Sequence, residues 1–123
     1  MASYTELKVQ GYEEFTKVVK EHKDKNVFAY FTGNKNEQGV SWCPDCVKAE
    51  PVVRSQMQYL PEDSIFIFCQ VGERAYWKDP KNDFKQILKL RGVPTLLRYG
   101  TPQKLEEEEC FDANLVQMMF TEE

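Results

Sequence analysis

Two short, uninterrupted runs of β-branched and aromatic residues constrain the fold of this chain most strongly. They are residues 27–32 (VFAYFT) and 65–71 (IFIFCQV). Each run is too short for a helix, and neither alternates between apolar and polar residues as a strand with one solvated face does. Both are therefore predicted to be strands buried on both faces, at the centre of a sheet that helices cover on each side.

The segments around these two strands predict an α/β arrangement. The first half of the chain is predicted to contain a strand over 5–9, a helix after Gly11, the strand 27–32 and a helix over 44–60 that is kinked at Pro51. The second half is predicted to contain the strand 65–71 and a helix from 83 to about 90, capped by Asn82 or Asp83. A strand over 93–99, a hairpin partner over 104–109 and a helix over 112–120 follow. Loops are predicted over 33–41 and 72–81. Because strands alternate with helices before a hairpin follows, the predicted fold is a central mixed sheet of about four to five strands with helices on both faces.

Length and charge exclude several classes of protein. The chain has 123 residues, which suit one domain over 1–123. Its net charge is −4 and no basic run exceeds two residues, so nucleic acid is not a predicted partner. Apolar runs of about five residues are too short to cross a membrane, and the N-terminal residues lack the pattern of a secretory signal. These features predict a cytoplasmic protein whose cysteines are thiols at rest.

A pair of cysteines lies where the first buried strand and its loop lead into a helix. Cys43 and Cys46 are three residues apart, a spacing that brings their Cβ atoms to about 5–6 Å in a first helical turn, within reach of a disulfide. Cys43, at the helix start, faces unpaired backbone N–H groups that stabilise a thiolate, whereas Asp45 opposes it with a like charge. The pattern predicts a dithiol in which Cys43 attacks a foreign disulfide and the more buried Cys46 releases it.

Two other interpretations of this pair are a zinc half-site and inert thiols. Zinc requires about four ligands, and the remaining candidates, Cys69, Cys110 and His22, form no second closely spaced pair. No metal is therefore predicted. Cys69, within an apolar strand, and Cys110, before the last helix, are predicted to be covered thiols.

Three features together resemble the thioredoxin family, and most closely its branch of cytosolic thioredoxin-related proteins of 14 kDa. Residues 42–46 read WCPDC, Pro51 follows Cys46 by five residues, and residues 91–95 (RGVPT) resemble the segment that carries the cis-proline of the family. The resemblance implies a thioredoxin-like fold with Cys43 as nucleophile and Cys46 as resolving thiol. It also implies a cis Val93–Pro94 bond and a substrate-binding rim formed by Trp42, Pro44, Asp45, Val93 and Pro94.

The resemblance further implies the electron source and the partners. Electrons would come from NADPH through thioredoxin reductase, with no cofactor bound to a chain that acts as a monomer. Substrates would include cystine, other small disulfides, selected protein disulfides and S-nitrosothiols. Peroxidase activity, a dynein light chain partner and redox modulation of tumour necrosis factor and NF-κB signalling are also implied.

The chain departs from an ordinary thioredoxin at several places. Thioredoxins carry a buried acid in the strand before the motif, and the corresponding residue here is Ala29. The loops 33–41 and 72–81 are longer, and the second contains Tyr76 and Trp77, which either form a local cluster or line the active site. The enlarged loops and the acidic surface support an alternative, a thioredoxin-like adaptor or binding module without turnover.

Overall fold

A five-stranded mixed sheet forms the centre of the computed structural model, which describes residues 3–122. Its strands are β1 (Thr5–Gln10), β2 (Val27–Thr32), β3 (Ile65–Gln70), β4 (Thr95–Arg98) and β5 (Lys104–Glu106). The spatial order is β1-β3-β2-β4-β5, in which β3 lies parallel to both β1 and β2, and β4 is antiparallel to β2 and β5. Both uninterrupted apolar runs are inner strands, which confirms the prediction drawn from them.

Helices cover the sheet on both faces, as predicted. They are α1 (Tyr12–Glu21), α2 (Pro44–Ser55), α3 (Arg74–Lys78), α4 (Asp83–Gln86) and α5 (Ala113–Thr121). All six residues of β2 are buried, and they alternate between two cores, with Phe31 on the face that carries α1, α3 and α4 and Tyr30 on the face that carries α5 and most of α2. Within residues 3–122, no helix is both long and apolar enough to cross a membrane.

Helix α2 is shorter than predicted. It continues through Pro51 but ends at Ser55, and Met57–Tyr59 form a separate 3₁₀ turn. Leu60 then takes an extended conformation because it precedes Pro61, and a residue before proline is disfavoured in a helix. The turn still buries Met57 and Leu60, whose spacing had suggested a continuous helix.

Three other predicted boundaries need correction. Helix α4 ends at Gln86 instead of about 90, because Lys89 takes a left-handed φ of 61° and the chain turns Leu90 into the core. The strand predicted over 93–99 is narrower, and the hairpin partner ends at Glu106, where Glu107–Phe111 form a 3₁₀ turn. A capping box stabilises this turn, because the Glu106 carboxylate accepts from the Glu109 N–H and the Glu109 carboxylate accepts from the Glu106 N–H. These two backbone N–H groups are then not available to extend the strand pairing.

The segment 72–81, predicted to be a loop, contains helix α3. Gly72 and Pro80 at its ends are typical of a connection, and five helical residues are too few to show a periodic pattern. Trp77 holds the helix in place, because its side chain is buried in the core on the α1 face.

Candidate active site

Cys43 and Cys46 form a disulfide at the N-terminus of α2. The loop after β2 leads into this helix, in which Cys43 is the N-cap and Pro44 the first helical residue. Proline is well suited to that position because its missing N–H would have no partner there. The two Cα atoms are 5.2 Å apart, and the backbone N–H of Cys46 donates to Sγ of Cys43 at 3.1 Å. The spacing along the chain therefore produces the close pair that it predicted.

Burial differs little between the two cysteines in this oxidised state. Cys43 is 5% exposed and Cys46 is 1% exposed, so Cys43 is the more accessible residue but is itself mostly covered. Ser41 supports the turn, since its Oγ accepts a hydrogen bond from the Cys43 N–H at 3.1 Å. A disulfide that Cys43 attacks must therefore approach it from the exposed side.

The Val93–Pro94 segment lies directly against the disulfide. Its peptide bond is cis, and the Val93 carbonyl oxygen is 3.6 Å from Sγ of Cys43. The segment is held by the Glu107 N–H, which donates to the Pro94 carbonyl at 2.8 Å. Within residues 3–122 the Val93 N–H has no hydrogen-bond partner. A backbone donor of this kind can pair with an extended peptide.

A groove of about 490 Å³ opens over Cys43. Its lining residues are Trp42, Cys43, Pro44, Asp45, Arg74, Trp77, Arg91, Gly92, Val93 and Glu107. Four of the five rim residues proposed from the sequence line it, whereas Pro94 adjoins the groove without lining it. Sequence reasoning missed Arg74 and Glu107 as site residues, and no local motif marks either one.

The two tryptophans of the groove have different structural roles. Trp42 donates from its indole Nε1 to the Gly72 carbonyl at 2.8 Å, and its ring packs so closely on Gly33 that a Cβ there would collide with it. It therefore ties the loop after β2 to the segment that carries α3. Trp77 lines the groove at 8% exposure, whereas Tyr76 is 43% exposed and covers Gly72 instead. Of the neighbouring residues Tyr76 and Trp77, only Trp77 lines the groove.

The core beneath the disulfide contains no carboxylate among the described residues. Ala29, at the position where the family carries a buried acid, is fully buried among apolar side chains. From the opposite face, the buried Tyr30 hydroxyl donates to the Cys46 carbonyl oxygen at 3.0 Å and anchors the first turn of α2. A proton leaving Cys46 must therefore reach solvent or the groove instead of an acid inside the core.

The other two cysteines lie in different cores. Cys69 belongs to the core on the α1 face and Cys110 to the core on the α5 face, and neither forms a disulfide. Burial raises the pKa of the Cys69 thiol well above its ordinary value and raises the pKa of Cys110 to about 12. Within the described part of the chain, no group of three or more histidine, cysteine or acidic side chains is placed to hold a metal ion.

These positions predict selective alkylation of the reduced protein. Treatment with iodoacetamide near neutral pH is expected to label Cys43 much faster than Cys46, Cys69 and Cys110, because Cys43 is the most accessible of the four cysteines and the thiolate is the reactive form. Peptide mass spectrometry measures the sites, and labelling in guanidinium, where all four cysteines should react, is the control. Labelling of Cys69 or Cys110 in the folded protein as fast as Cys43 would contradict the burial described here.

Comparisons with known proteins agree with this fold and site. The family model described as "Thioredoxin domain-containing protein 17-like, thioredoxin domain" matches residues 8–122. A zebrafish (Danio rerio) protein named thioredoxin domain-containing protein 17 is 68% identical over 100% of both chains, and a human protein of that name is 59% identical over the same span. The thioredoxin-like protein Clot from Arabidopsis thaliana is 38% identical and covers 74% of this chain and 72% of its own.

A solved structure adds independent support for the fold. The crystal structure of a reduced thioredoxin pre-protein from Schistosoma mansoni matches with a TM-score of 0.57 and 17% identity, covering 97% of this chain and 96% of that one. At that identity the match concerns the fold alone. The sheet, the paired cysteines at the start of α2 and the full-length relatives agree, and the chain belongs to the family of thioredoxin domain-containing protein 17-like thioredoxin domains, with a thioredoxin-type redox role.

Proposed function

We propose that this chain is a disulfide reductase that uses the Cys43/Cys46 dithiol on small disulfides and selected protein disulfides. One observation carries the proposal: Cys43 is the N-cap of α2, bonded to Cys46 one turn later, and lines an open groove. A backbone N–H directed at Sγ of Cys43 stabilises the thiolate that such chemistry needs. The oxidised pair is the form that reduction of one substrate disulfide would leave.

The first step is attack on the substrate. The Cys43 thiolate forms a bond to one sulfur of the foreign disulfide, the substrate S–S bond breaks, and the second sulfur leaves as a thiolate that takes a proton from water. The Val93 N–H, which has no partner within residues 3–122, would bind the backbone of an extended substrate during this step. The carbonyl oxygen of the same residue lies 3.6 Å from Sγ of Cys43.

The second step releases the product. Cys46 loses its proton and attacks Sγ of Cys43, so that the Cys43–Cys46 disulfide forms and the remaining substrate sulfur leaves as a thiolate. Two electrons have then passed from the dithiol to the substrate. The short Cα separation of 5.2 Å lets this step proceed without unwinding α2.

The proposal also includes the electron donor, the cellular location and the oligomeric state. Thioredoxin reductase would return the disulfide to the dithiol with electrons from NADPH, in the cytoplasm and with the chain acting as a monomer. Cystine is the proposed small substrate. Peroxidase activity, a dynein light chain partner and a link to tumour necrosis factor and NF-κB signalling derive from family resemblance alone and stay predictions.

An NADPH-coupled assay tests this function. The chain, thioredoxin reductase and NADPH are mixed with cystine or with insulin as the protein disulfide, and an ordinary thioredoxin is run in parallel. We expect NADPH consumption that requires the chain, with a higher cystine-to-insulin ratio than for the ordinary thioredoxin. In a second arm, the chemically reduced and desalted chain is mixed with cystine alone. Activity only in this arm would reject the electron donor but keep the reductase, whereas no activity in either arm would support the adaptor alternative.

The redox potential provides a second measurement. One backbone N–H stabilises the Cys43 thiolate, while the carboxylates of Asp45 and Glu107 line the same groove and oppose it. The reduced dithiol should therefore be only moderately favoured over the disulfide. We expect a reduction potential nearer to about −270 mV, as in thioredoxin, than to about −120 mV, as in a strong oxidant. A glutathione titration that placed the midpoint above about −180 mV, the potential of a disulfide isomerase, would contradict this expectation.

A further inference from the structure

The groove over Cys43 carries charges that the rest of the described chain does not neutralise. Asp45, Arg74, Arg91 and Glu107 line it. Arg91 is already engaged, because its Nε donates to the Glu106 carboxylate at 3.1 Å. Within residues 3–122, the side chains of Asp45, Arg74 and Glu107 make neither an ion pair nor a hydrogen bond. Within the described residues, the groove thus presents one guanidinium and two carboxylates without a direct partner. The pKa of Arg91 is raised chiefly by its hydrogen bonds to Glu106 and to a smaller extent by the charge of Glu107.

Glu107 is held at the groove by its backbone and by its neighbour. It has a left-handed φ of 51°, a conformation that a non-glycine residue rarely adopts. Its N–H is fixed by the Pro94 carbonyl, and its carboxylate packs on Gly92 so closely that a Cβ at that position would collide with Oε1. The absence of a side chain on Gly92 therefore makes room for the carboxylate next to Val93.

Arg74 is placed by a different part of the chain. It is the first residue of α3 and lies one turn before Trp77, and both residues line the groove. The buried Trp77 ring anchors this short helix in the core. The backbone of Arg74 is therefore held at the side of the groove, although its own side chain is exposed to solvent. The cation and the Glu107 carboxylate thus belong to separate walls that meet over Cys43.

We propose that Arg74 and Glu107 determine specificity for small disulfides whose ends carry both a carboxylate and an ammonium group, the chemistry of an amino-acid disulfide. Arg74 binds the carboxylate, for which a guanidinium provides two parallel donors, and Glu107 binds the ammonium group. This inference rests on the reductase function proposed above. Asp45 is left unchanged in the test, because it lies between the two cysteines in the helical turn that holds the disulfide.

Four small disulfides that differ in end charge test the assignment. They are cystine, with both charges at each end, cystamine, with ammonium groups only, dithiodipropionate, with carboxylates only, and hydroxyethyl disulfide, which is uncharged. For each protein, kcat/KM for a charged disulfide is divided by kcat/KM for hydroxyethyl disulfide, so that changes in the dithiol itself cancel. Arg74→Gln is expected to lower this ratio about three- to fivefold for cystine and dithiodipropionate but not for cystamine. Glu107→Gln should lower it similarly for cystine and cystamine but not for dithiodipropionate.

Two control variants are matched in charge change to the Arg74 and Glu107 variants. Lys78→Gln and Glu108→Gln make the same charge changes at neighbouring exposed residues that do not line the groove, and they should keep the native ratios. Ratios unchanged in the Arg74 and Glu107 variants, or lowered equally in the controls, would overturn the assignment and leave the reductase intact. If the native protein fails to reduce even hydroxyethyl disulfide, the proposed function itself fails. Thermal unfolding midpoints of all four variants show that each is folded.

Discussion

Replacing Cys43 by Ser is expected to lower disulfide reduction by about three orders of magnitude or more. A serine hydroxyl at the N-cap keeps the hydrogen bond to the helix but is not ionised near neutral pH and cannot form the mixed disulfide. The other three cysteines are not expected to substitute. Cys46 is only 1% exposed, and Cys69 and Cys110 are buried in the cores, where burial raises the pKa of each thiol. The NADPH-coupled assay with cystine measures the loss.

The matched variant Cys46→Ser separates attack from release. It retains the Cys43 thiolate, so it should react once with a disulfide and remain attached to half of it, which appears in mass spectrometry as an adduct on Cys43. Cys110→Ala, in the opposite core, controls for the loss of a thiol and should keep turnover. Native turnover in Cys43→Ser would show that a different group attacks the substrate, and loss of activity without an adduct in Cys46→Ser would contradict the order of the two steps.

The second large effect concerns the free energy of unfolding. Phe120→Ala is expected to lower it by about 3–5 kcal/mol, a large part of the stability of a domain of this size. Phe120 is fully buried at the end of α5, with its ring 5.3 Å from that of Phe28 and 6.2 Å from that of Phe66, both in edge-to-face geometry. Truncation removes these contacts and leaves a cavity between α5 and the two inner strands β2 and β3.

Equilibrium unfolding in urea measures this change. Met118→Ala is the matched control, because Met118 lies two residues earlier on the same helix but is 50% exposed. Its free energy of unfolding should fall by less than about 1 kcal/mol. A decrease of less than about 1.5 kcal/mol for Phe120→Ala, or equal decreases for the two variants, would mean that α5 does not close the core as described.

The inner strands and the dithiol could be predicted from sequence because their causes are local. An unbroken apolar run must be buried on both faces wherever the chain places it, and β2 coincides with the predicted range. Likewise, two cysteines three residues apart at a helix start come together through the geometry of one turn. Helix ends were less predictable, as α2 shows, because Met57 and Leu60 fit either a continuous helix or a tighter turn.

Only the tertiary structure decided what surrounds the dithiol. Asp45, Arg74 and Glu107 are far apart along the chain and meet because β2 and β4 are neighbours in the sheet, α3 is anchored by Trp77, and the turn after β5 returns to Pro94. The sequence by itself determined a buried sheet and a reactive cysteine pair. The charges that line the groove depend on contacts between distant segments, which no local pattern records.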